Sequence, residues 1–303
     1  MTATGFAMPA GACDCHTHVF PDDPRFPFSA MRKYTPPFAS VPQLQAMLDT
    51  LQVQRIIVVQ PSVYGSDNAA TLDAVRKLGR ERARAVAVIE EDATDTQLDS
   101  LHDAGVRGVR LNLEMLAESD PARCKTIVRH TAAKLAGRGW HVQVYSQLEL
   151  IASIADVFGG LDLPVVFDHF ARARAEFGPQ QKGFRAVLDL VRTGSAYVKL
   201  SAPYLCSNDS PYYTDIDAVA HALIDANPAR MLWASNWPHP NPSHAPAASL
   251  DEISPRQQVD DAGLLGMLAR WAPDPAVRDS ILASNPASLY GFTETVALGV
   301  QPG

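Results

Sequence analysis

The chain has 303 residues, of which 47% are hydrophobic and 19% are charged, as expected for a globular protein with one sizeable core. Its formal net charge is −7 and its Lys and Arg residues form no runs, which argues against nucleic acid or an anionic membrane as the partner. Four cysteines are too few for a disulfide framework in a chain of this length, so we expect a reduced, cytoplasmic protein that acts on small molecules.

The first segment in chain order, MTATGFAMPAGA, lacks the basic and long apolar regions of a secretory signal. Further along, no stretch reaches the ~18 uncharged apolar residues of a membrane-spanning helix. The sequence therefore predicts neither export by that route nor a membrane span.

Eight short runs follow, each mostly apolar, as strands buried on both faces are. In chain order they read ACDCHTHVF, QRIIVVQPS, RARAVAVIE, GVRGVRLNL, WHVQVYS, LPVVFDHFA, AYVKLSA and RMLWASNWP. Amphipathic segments predicted as helices separate them and begin near Val41, Asn68, Asp95, Pro121, Gln147, Pro179 and Thr214. Alternation of strands and helices is typical of βα units in a parallel sheet.

The number of units predicts a single-domain (β/α)8 TIM-type barrel over residues 1–303, since this fold usually takes ~250 residues. Additional C-terminal helices are predicted in DDAGLLGMLARW, DPAVRDSILA and NPASLYGF. An open, doubly wound sheet is the rival, but no G-x-G-x-x-G follows the first strand, so a dinucleotide site has no support. The Pro-rich stretch WPHPNPSHAPAASLDEISP after the eighth strand is predicted to be a long functional loop over one barrel end.

Polar side chains gather where the predicted strands end, which is the face that carries the chemistry of such barrels. His16 and His18 are one residue apart and therefore point to the same side of an extended strand. The other strand-end candidates are Gln60, Ser62, Arg110, Asn112, Tyr145, Asp168, His169, Arg172, Lys199, Ser201, Asn236 and His239. This concentration predicts a functional site instead of scattered core and surface histidines.

Several of these residues also have a structural explanation. By alternation Asp168 points to the opposite side of its strand from His169, which makes it a structural hydrogen-bonding residue and not a base. Lys199 is interpreted as the buried partner of a carboxylate and not as a Schiff-base nucleophile. The alternatives are a barrel-rim ion pair for Arg110 and a purely structural loop role for His239, which lies in a Pro-framed turn.

Three segments, DCHTHVF, FDHFAR and NWPHPN, resemble signatures of the amidohydrolase superfamily, and specifically of its lactone-hydrolase branch that includes the pyrone-dicarboxylate lactonases. The resemblance extends over most of the chain, because KYTPP, GSDNAATLDAV, GVRGVRLN and NPASLYGF belong to it as well. It implies a barrel enzyme that opens carboxylated or sugar-derived lactones, as some members of that branch do without a metal.

In that superfamily the metal ligands come from the strand-one histidines, a Lys or Glu on strand four, histidines on strands five and six, and an Asp on strand eight. This sequence lacks most of the set, because strand four ends in RLNL, strand five in VYSQ, and Asn236 stands in place of the Asp. A neutral amide is a poor substitute for a carboxylate ligand of Zn²⁺. We therefore expect no metal and no other cofactor, with His16, His18 and His169 forming a metal-free polar cluster that faces the substrate.

The resemblance implies roles around the scissile ester for those three histidines and for position 236. Arg110 and Arg172 can hold a carboxylate through bidentate hydrogen bonds, which predicts a small anionic lactone as the substrate. Leu116 and Leu205 stand where basic residues are expected in the pyrone-dicarboxylate lactonases, so a lactone with one carboxylate, such as an aldarolactone, fits better. The resemblance also implies hydrogen-bonding roles for Tyr34, Ser62 and Tyr145, so the expected substrate-binding set is Tyr34, Ser62, Arg110, Tyr145, Arg172 and His239.

Asn236 is the sharpest departure from the family pattern, because the strand-eight Asp would be the base that activates water. The active-enzyme pattern around it favours an inactive Asp-to-Asn form of a lactone hydrolase. A natural enzyme with another base, such as a strand-end histidine, and a lactone-binding protein without turnover are alternatives. So are an aldarolactone isomerase, in which a substrate hydroxyl replaces water, and a metal-dependent decarboxylase of the same superfamily.

Overall fold

A computed structural model describes residues 5–114, 118–241 and 250–293. Its centre is one sheet of eight parallel strands in chain order, each paired with the next. The strands are β1 (Cys13–Thr17), β2 (Arg55–Val59), β3 (Ala83–Ala87), β4 (Val106–Asn112), β5 (His141–Tyr145), β6 (Val165–Phe167), β7 (Ala196–Ser201) and β8 (Met231–Ala234).

The first and last strands close the sheet just beyond β8. Thr17 pairs with Trp237 in a parallel bridge, the N–H of His18 donates to the Trp237 carbonyl at 2.8 Å, and the N–H of Asn236 donates to the His16 carbonyl at 3.0 Å. The predicted (β/α)8 barrel is confirmed, and its closure places the residue after each of these strands on a common rim.

Helices alternate with the strands and continue after β8. They are α1 (Val41–Leu51), α2 (Ala69–Leu78), α3 (Asp95–Asp103), α4 (Pro121–Leu135), α5 (Leu148–Ser153), α6 (Ala155–Gly159), α7 (Phe184–Arg192), α8 (Asp217–Ala226), α9 (Asp261–Gly266), α10 (Leu268–Trp271), α11 (Pro275–Asp279) and α12 (Asn285–Tyr290). None of the helices in the described ranges is long and apolar enough to cross a membrane.

One predicted helix start is wrong. Pro179 lies in a short turn over Ala175–Gln180, and α7 begins only at Phe184. Gly178 and Gly183 both have positive φ, at 60° and 88°, which interrupts helical backbone on both sides of the proline. Of the predicted Pro-rich loop, residues 242–249 lie outside the described ranges, as does Leu116.

The barrel interior has a mainly apolar floor and a polar upper layer. Cys13, Ile57, Val86 and Leu232 are fully buried in one cluster that also includes Tyr290 of α12. The other faces of the strands pack against the helices in the larger core of the protein. Polar interior residues therefore occur mainly toward the carboxyl ends of the strands, where a barrel enzyme places its site.

A β-bulge in β1 sets the direction of its two histidines. Asp14 pairs with Ile56 but Thr17 pairs with Val58, so three steps of β1 match two of β2. The backbone N–H of His16 donates to the Asp14 carboxylate at 3.2 Å, which supports the bulge. A bulge of this kind re-aims side chains, so His16 points into the barrel although it directly follows the inward-facing Cys15.

The end of α1 allows a prediction about stability. Gln52 caps this helix with φ 58° and ψ 32°, and its N–H donates to the carbonyls of Leu48 and Asp49. A left-handed cap is strained for any residue with a Cβ and is relaxed for glycine. Because Gln52 is exposed, we expect Gln52→Gly to raise the free energy of unfolding by about 0.5–1 kcal/mol after the entropic cost of glycine. Urea unfolding at neutral pH measures this change, and Gln45→Gly inside α1 should destabilise the protein instead.

Candidate active site

Three predicted histidines meet inside the upper end of the barrel. The Nε2 atoms of His16 and His18 lie 3.2 Å apart, and the ring centres of His16 and His169 lie 4.8 Å apart. All three side chains are buried, with at most 4% of any of them exposed. The parallel ends of β1 and β6, which are not adjacent in the sheet, therefore contribute to one cluster.

Burial keeps these imidazoles uncharged at neutral pH. It lowers the pKa of His18 and of His169 to about 3, and it lowers the pKa of His16 well below its usual value against the opposing effect of the Asp168 carboxylate. Nδ1 of His18 lies 2.7 Å from the Val59 carbonyl, so that nitrogen carries the proton. Nε2 of neutral His18 therefore carries no proton and can only accept, whereas His169 can donate from Nε2 when the Ser201 hydroxyl donates to its Nδ1.

An ion pair lies directly beneath the histidines. Nζ of Lys199 is 3.2 Å from Oδ1 of Asp168, 2.7 Å from Oε1 of Gln143 and 3.1 Å from Nδ1 of His16. The carboxylate also lies 3.1 Å from Nδ1 of His16, and the lysine holds the pKa of Asp168 well below its usual value despite burial. Lys199 is thus the buried partner of a carboxylate, as the sequence predicted, and burial lowers its own pKa.

The predicted orientation of Asp168 is wrong. Strand β6 ends at Phe167, and the backbone turns left-handed immediately after Asp168, so strand alternation does not continue to His169. The ligand-type atoms of Asp168, His169 and His16 all lie within 4.8 Å of one another. Asp168 therefore points into the same cluster as His169 and is one of its structural hydrogen-bonding members.

Four consecutive left-handed residues follow Asp168. The φ angles of His169, Phe170, Ala171 and Arg172 lie between 50° and 60°. Each costs roughly 1–2 kcal/mol for a residue with a Cβ, and such strain is concentrated at functional sites. The turn brings both His169 and Arg172 back over the barrel mouth, where Nδ1 of His169 lies 2.8 Å from the Ser201 hydroxyl.

Two guanidinium groups flank one tyrosine ring at this mouth. The Cζ atoms of Arg110 and Arg172 lie 5.5 and 5.4 Å from the ring centre of Tyr145. Arg110 reaches Asp168 only at 3.5 Å, and Arg172 reaches Glu114 at 3.4 Å and donates to the Leu205 carbonyl at 2.9 Å. The Nε atoms of both arginines are buried without a hydrogen-bond partner among the described residues.

The remaining substrate-binding candidates lie beside these arginines. Tyr34 shares a side-chain hydrogen bond with Ser62, and burial raises its pKa to about 12 against the opposing charge of Arg110. Burial also raises the pKa of Tyr145 to about 12, opposed by Arg172. Both phenols therefore stay protonated at neutral pH and can donate hydrogen bonds.

Asn236, whose backbone N–H donates to the His16 carbonyl, begins a hydrogen-bonded series of side chains. Its Nδ2 donates to the Tyr204 hydroxyl at 2.9 Å, and the Tyr204 oxygen lies 3.1 Å from Nδ1 of His239. Nε2 of His239 lies 3.0 Å from Oδ1 of Asp261 at the start of α9. Neither Tyr204 nor Asp261 is among the residues predicted from the sequence. Tyr204 directly precedes Leu205, which the sequence analysis singled out, whereas nothing in the sequence connects Asp261 with His239.

The donor set does not suit a divalent cation. His16, Asp168 and His169 could offer three ligand atoms, but the Lys199 ammonium already lies within 3.2 Å of two of these residues. Arg110 adds a second positive charge 3.5 Å from the same carboxylate. A metal ion would have to enter beside two cations that share one anion, which is electrostatically unfavourable.

Known proteins share both the sequence pattern and the barrel. A family model described as Amidohydrolase matches residues 13–292. The chain is 35% identical over 296 residues to a 2-pyrone-4,6-dicarboxylate hydrolase of Comamonas testosteroni, and the match covers 94% of this chain and 92% of that protein. It is 33% identical over 289 residues to a 4-sulfomuconolactone hydrolase of Rhizobium radiobacter, with the same coverages. The apo crystal structure of an Agrobacterium tumefaciens protein has the same fold, with a TM-score of 0.80 at 24% identity over 95% of this chain and 98% of that one.

Proposed function

The chain belongs to the amidohydrolase family, and from that premise we propose that it opens a small carboxylated lactone by attack of water on the ester carbonyl, without a metal. The observation that carries the proposal is the pair of guanidinium groups around Tyr145, whose ring centre lies 5.6 Å from that of His169 in a cluster of three uncharged imidazoles. An anionic substrate group and a carbonyl can be bound side by side there. The two hydrolases reported above are named for substrates that are lactones.

Arg110 and Arg172 hold the substrate carboxylate in this proposal. Their buried Nε atoms have no hydrogen-bond partner in the described part of the chain, and their existing carboxylate contacts are 3.4 Å or longer. A substrate carboxylate can therefore gain short, charge-assisted hydrogen bonds that the protein itself does not supply. Tyr34, Ser62 and Tyr145 orient the ring beside it.

The imidazoles act on the ester carbonyl. As water adds to the carbonyl carbon, negative charge develops on the carbonyl oxygen, and the Nε2–H of His169 can stabilise it, while His16 and His18 handle protons beside it. The ring C–O bond then breaks, and the products are a carboxylate and a hydroxyl group on one open chain. In this proposal Asn236 holds the attacking water through its amide, which has no useful basicity.

The absence of a metal requirement rests on the two cations that already occupy the cluster. Lys199 and Arg110 supply the positive charge next to Asp168. The ion pair also holds the His16 ring in position through Nδ1. In metal-dependent enzymes a hydrogen-bond partner orients a metal-ligating imidazole in the same way.

The direct test is a turnover assay on mono- and dicarboxylated lactones, in the presence and absence of a chelator. Each lactone is compared with an analogue in which an uncharged amide replaces the carboxylate. Ring opening and isomer formation are followed separately. We expect ring opening of a carboxylated member only, and no effect of the chelator. Loss of activity on chelation would favour the metal-dependent decarboxylase alternative, isomer formation would favour an isomerase, and saturable binding without turnover would favour a binding protein.

Arg172 gives the sharpest single-residue prediction for this proposal. We expect Arg172→Gln to raise KM for the carboxylated lactone about 10- to 100-fold, the cost of about 1.5–3 kcal/mol for a hydrogen bond to a charged group. Steady-state kinetics measure the change, and Arg192→Gln on the exposed surface of α7 is the matched control. An unchanged KM for the Arg172→Gln protein would exclude Arg172 as a carboxylate ligand.

A further inference from the structure

We propose that Asp261, His239 and Tyr204 form a proton relay that supplies the base for ring opening at the position where Asn236 stands. The relay rests on the proposed function, because it gives that same site its missing base. Three contacts define it: Asn236 Nδ2 to the Tyr204 oxygen at 2.9 Å, that oxygen to His239 Nδ1 at 3.1 Å, and His239 Nε2 to Asp261 Oδ1 at 3.0 Å.

The three contacts assign every proton in one direction. A carboxylate can only accept, so Nε2 of His239 carries its proton toward Asp261 and Nδ1 is left with a lone pair. The Tyr204 hydroxyl must then donate to Nδ1, and its oxygen is free to accept from the amide of Asn236. Each group thus donates to the next along the series, from Asn236 to Asp261. No donor faces a donor, and no acceptor faces an acceptor.

The backbone holds this series in place, and two of its residues are in a strained conformation. Asn236 and His239 both have positive φ, at 65° and 59°. The N–H of His239 donates to the Asn236 carbonyl at 2.8 Å, and the N–H of Gln257 donates to the His239 carbonyl at 3.0 Å. Two strained residues three positions apart, each tied to neighbours, are typical of a site that is held in one functional geometry. Only 4% of Asn236 and 5% of His239 are exposed.

The relay activates water by a balanced transfer of one proton. A water molecule beside Asn236 forms a bond from its oxygen to the lactone carbonyl carbon and gives one proton to the Tyr204 oxygen. In the same step the Tyr204 hydroxyl proton moves to Nδ1 of His239, and Asp261 stabilises the resulting imidazolium. Breakage of the ring C–O bond returns this proton, through Tyr204, to the departing oxygen. Burial raises the pKa of Tyr204, so the phenol passes a proton on and does not ionise beforehand.

This geometry also explains why an amide suits position 236. A carboxylate there would accept from the Tyr204 hydroxyl and compete with Nδ1 of His239 for the same proton. The relay therefore supports the alternative of an active enzyme whose base is a strand-end histidine, over an inactive Asp-to-Asn form. Both ring nitrogens of His239 are engaged by protein groups, so in this proposal His239 acts behind Tyr204 and not as a direct substrate ligand.

The test compares kcat of the unmodified protein with Tyr204→Phe, His239→Gln and Asp261→Asn on the carboxylated lactone that the turnover assay selects. We expect each to lower kcat about 10²-fold or more, the usual contribution of general base catalysis, with KM changed less than threefold. Exogenous imidazole should partly restore a His239→Gly protein, which a purely structural role would not allow. Tyr213→Phe is the control, because Tyr213 is buried nearby and, among the described residues, its hydroxyl reaches only Ser210, at 3.4 Å.

Two kinetic outcomes would overturn the relay. One is a Tyr204→Phe or Asp261→Asn protein that keeps kcat within threefold of the unmodified protein. The other is an Asn236→Asp protein that is at least ~10²-fold faster, because position 236 would then be the natural place of the base. If the unmodified protein opens no lactone, the proposed function fails and the relay is tested by nitrogen-15 NMR of His239. Protonation at Nε2 supports the relay geometry, and protonation at Nδ1 overturns it.

Discussion

A shift from pH 7 to pH 5 is expected to lower the free energy of unfolding by several kcal/mol. His16, His18, His141 and His169 are all buried. Burial lowers the pKa of His18, His141 and His169 to about 3, and it lowers that of His16 well below its usual value. These histidines are therefore neutral in the folded protein and would have to take up protons on unfolding.

The direction of this pH effect on the free energy of unfolding follows from proton uptake. The unfolded chain, with histidine pKa values near 6.5, binds more protons than the folded protein at pH values between about 3 and 6.5. The stability that each neutral histidine contributes is fully present above that window and is lost as the pH falls through it. At pH 5 each histidine with a pKa of about 3 costs about 2 kcal/mol, which is a large part of a typical total of about 5–15 kcal/mol.

Asp14 works in the opposite direction. Burial raises its pKa to about 7, because its hydrogen bonds from Ser235 and His16 only partly offset the loss of water. The folded protein therefore binds the extra proton between about pH 3.8 and 7, and this contribution to stability grows as the pH falls. One such carboxyl offsets roughly one histidine at pH 5, so the net effect of acidification remains destabilising.

Urea unfolding at pH 7, 6 and 5 measures the effect. His141 lies on β5 below the site, where its ring packs against Tyr290 at 5.2 Å between ring centres. We expect His141→Leu to reduce the loss of stability between pH 7 and 5 by about 2 kcal/mol, because one buried proton acceptor is removed. Exposed His221→Gln should leave the loss unchanged. A free energy of unfolding that is flat from pH 7 to 5 would contradict the prediction.

Replacement of Lys199 by methionine is expected to destabilise the protein by about 3–5 kcal/mol. The side chains of Lys199 and Asp168 are both completely buried, with Nζ and Oδ1 at 3.2 Å. Removing the ammonium leaves a buried carboxylate whose only other nearby cation, among the described residues, is Arg110 at 3.5 Å. The cost comes from the charge that remains behind, more than from the contact that is lost.

A double substitution separates these two causes. Lys199→Met combined with Asp168→Asn removes both charges, so it should recover a large part of the stability lost by Lys199→Met alone. Exposed Lys182→Met is the control and should change the unfolding free energy by less than about 0.5 kcal/mol. Equal urea midpoints for Lys199→Met and the unmodified protein would show that the ion pair is not needed for stability.

The sequence by itself determined the fold and the rim on which the site lies. Eight apolar runs separated by amphipathic segments leave few arrangements other than a parallel barrel, because each strand must be covered on both faces. Strand periodicity also predicted correctly that His16 and His18 share a side. These features are local, and local patterns are what a sequence displays.

Only the tertiary structure decided how distant side chains combine. The bulge at Asp14 and the left-handed turn after Asp168 break strand alternation, so no periodicity could place Asp168 and His169 in one cluster. The pairing of His239 with Asp261 joins residues that are 22 positions apart, a separation that no local sequence pattern bridges. Which ions pair, which imidazoles stay neutral and which tyrosine meets Asn236 all depend on distances across the closed barrel, because electrostatics and burial act through space.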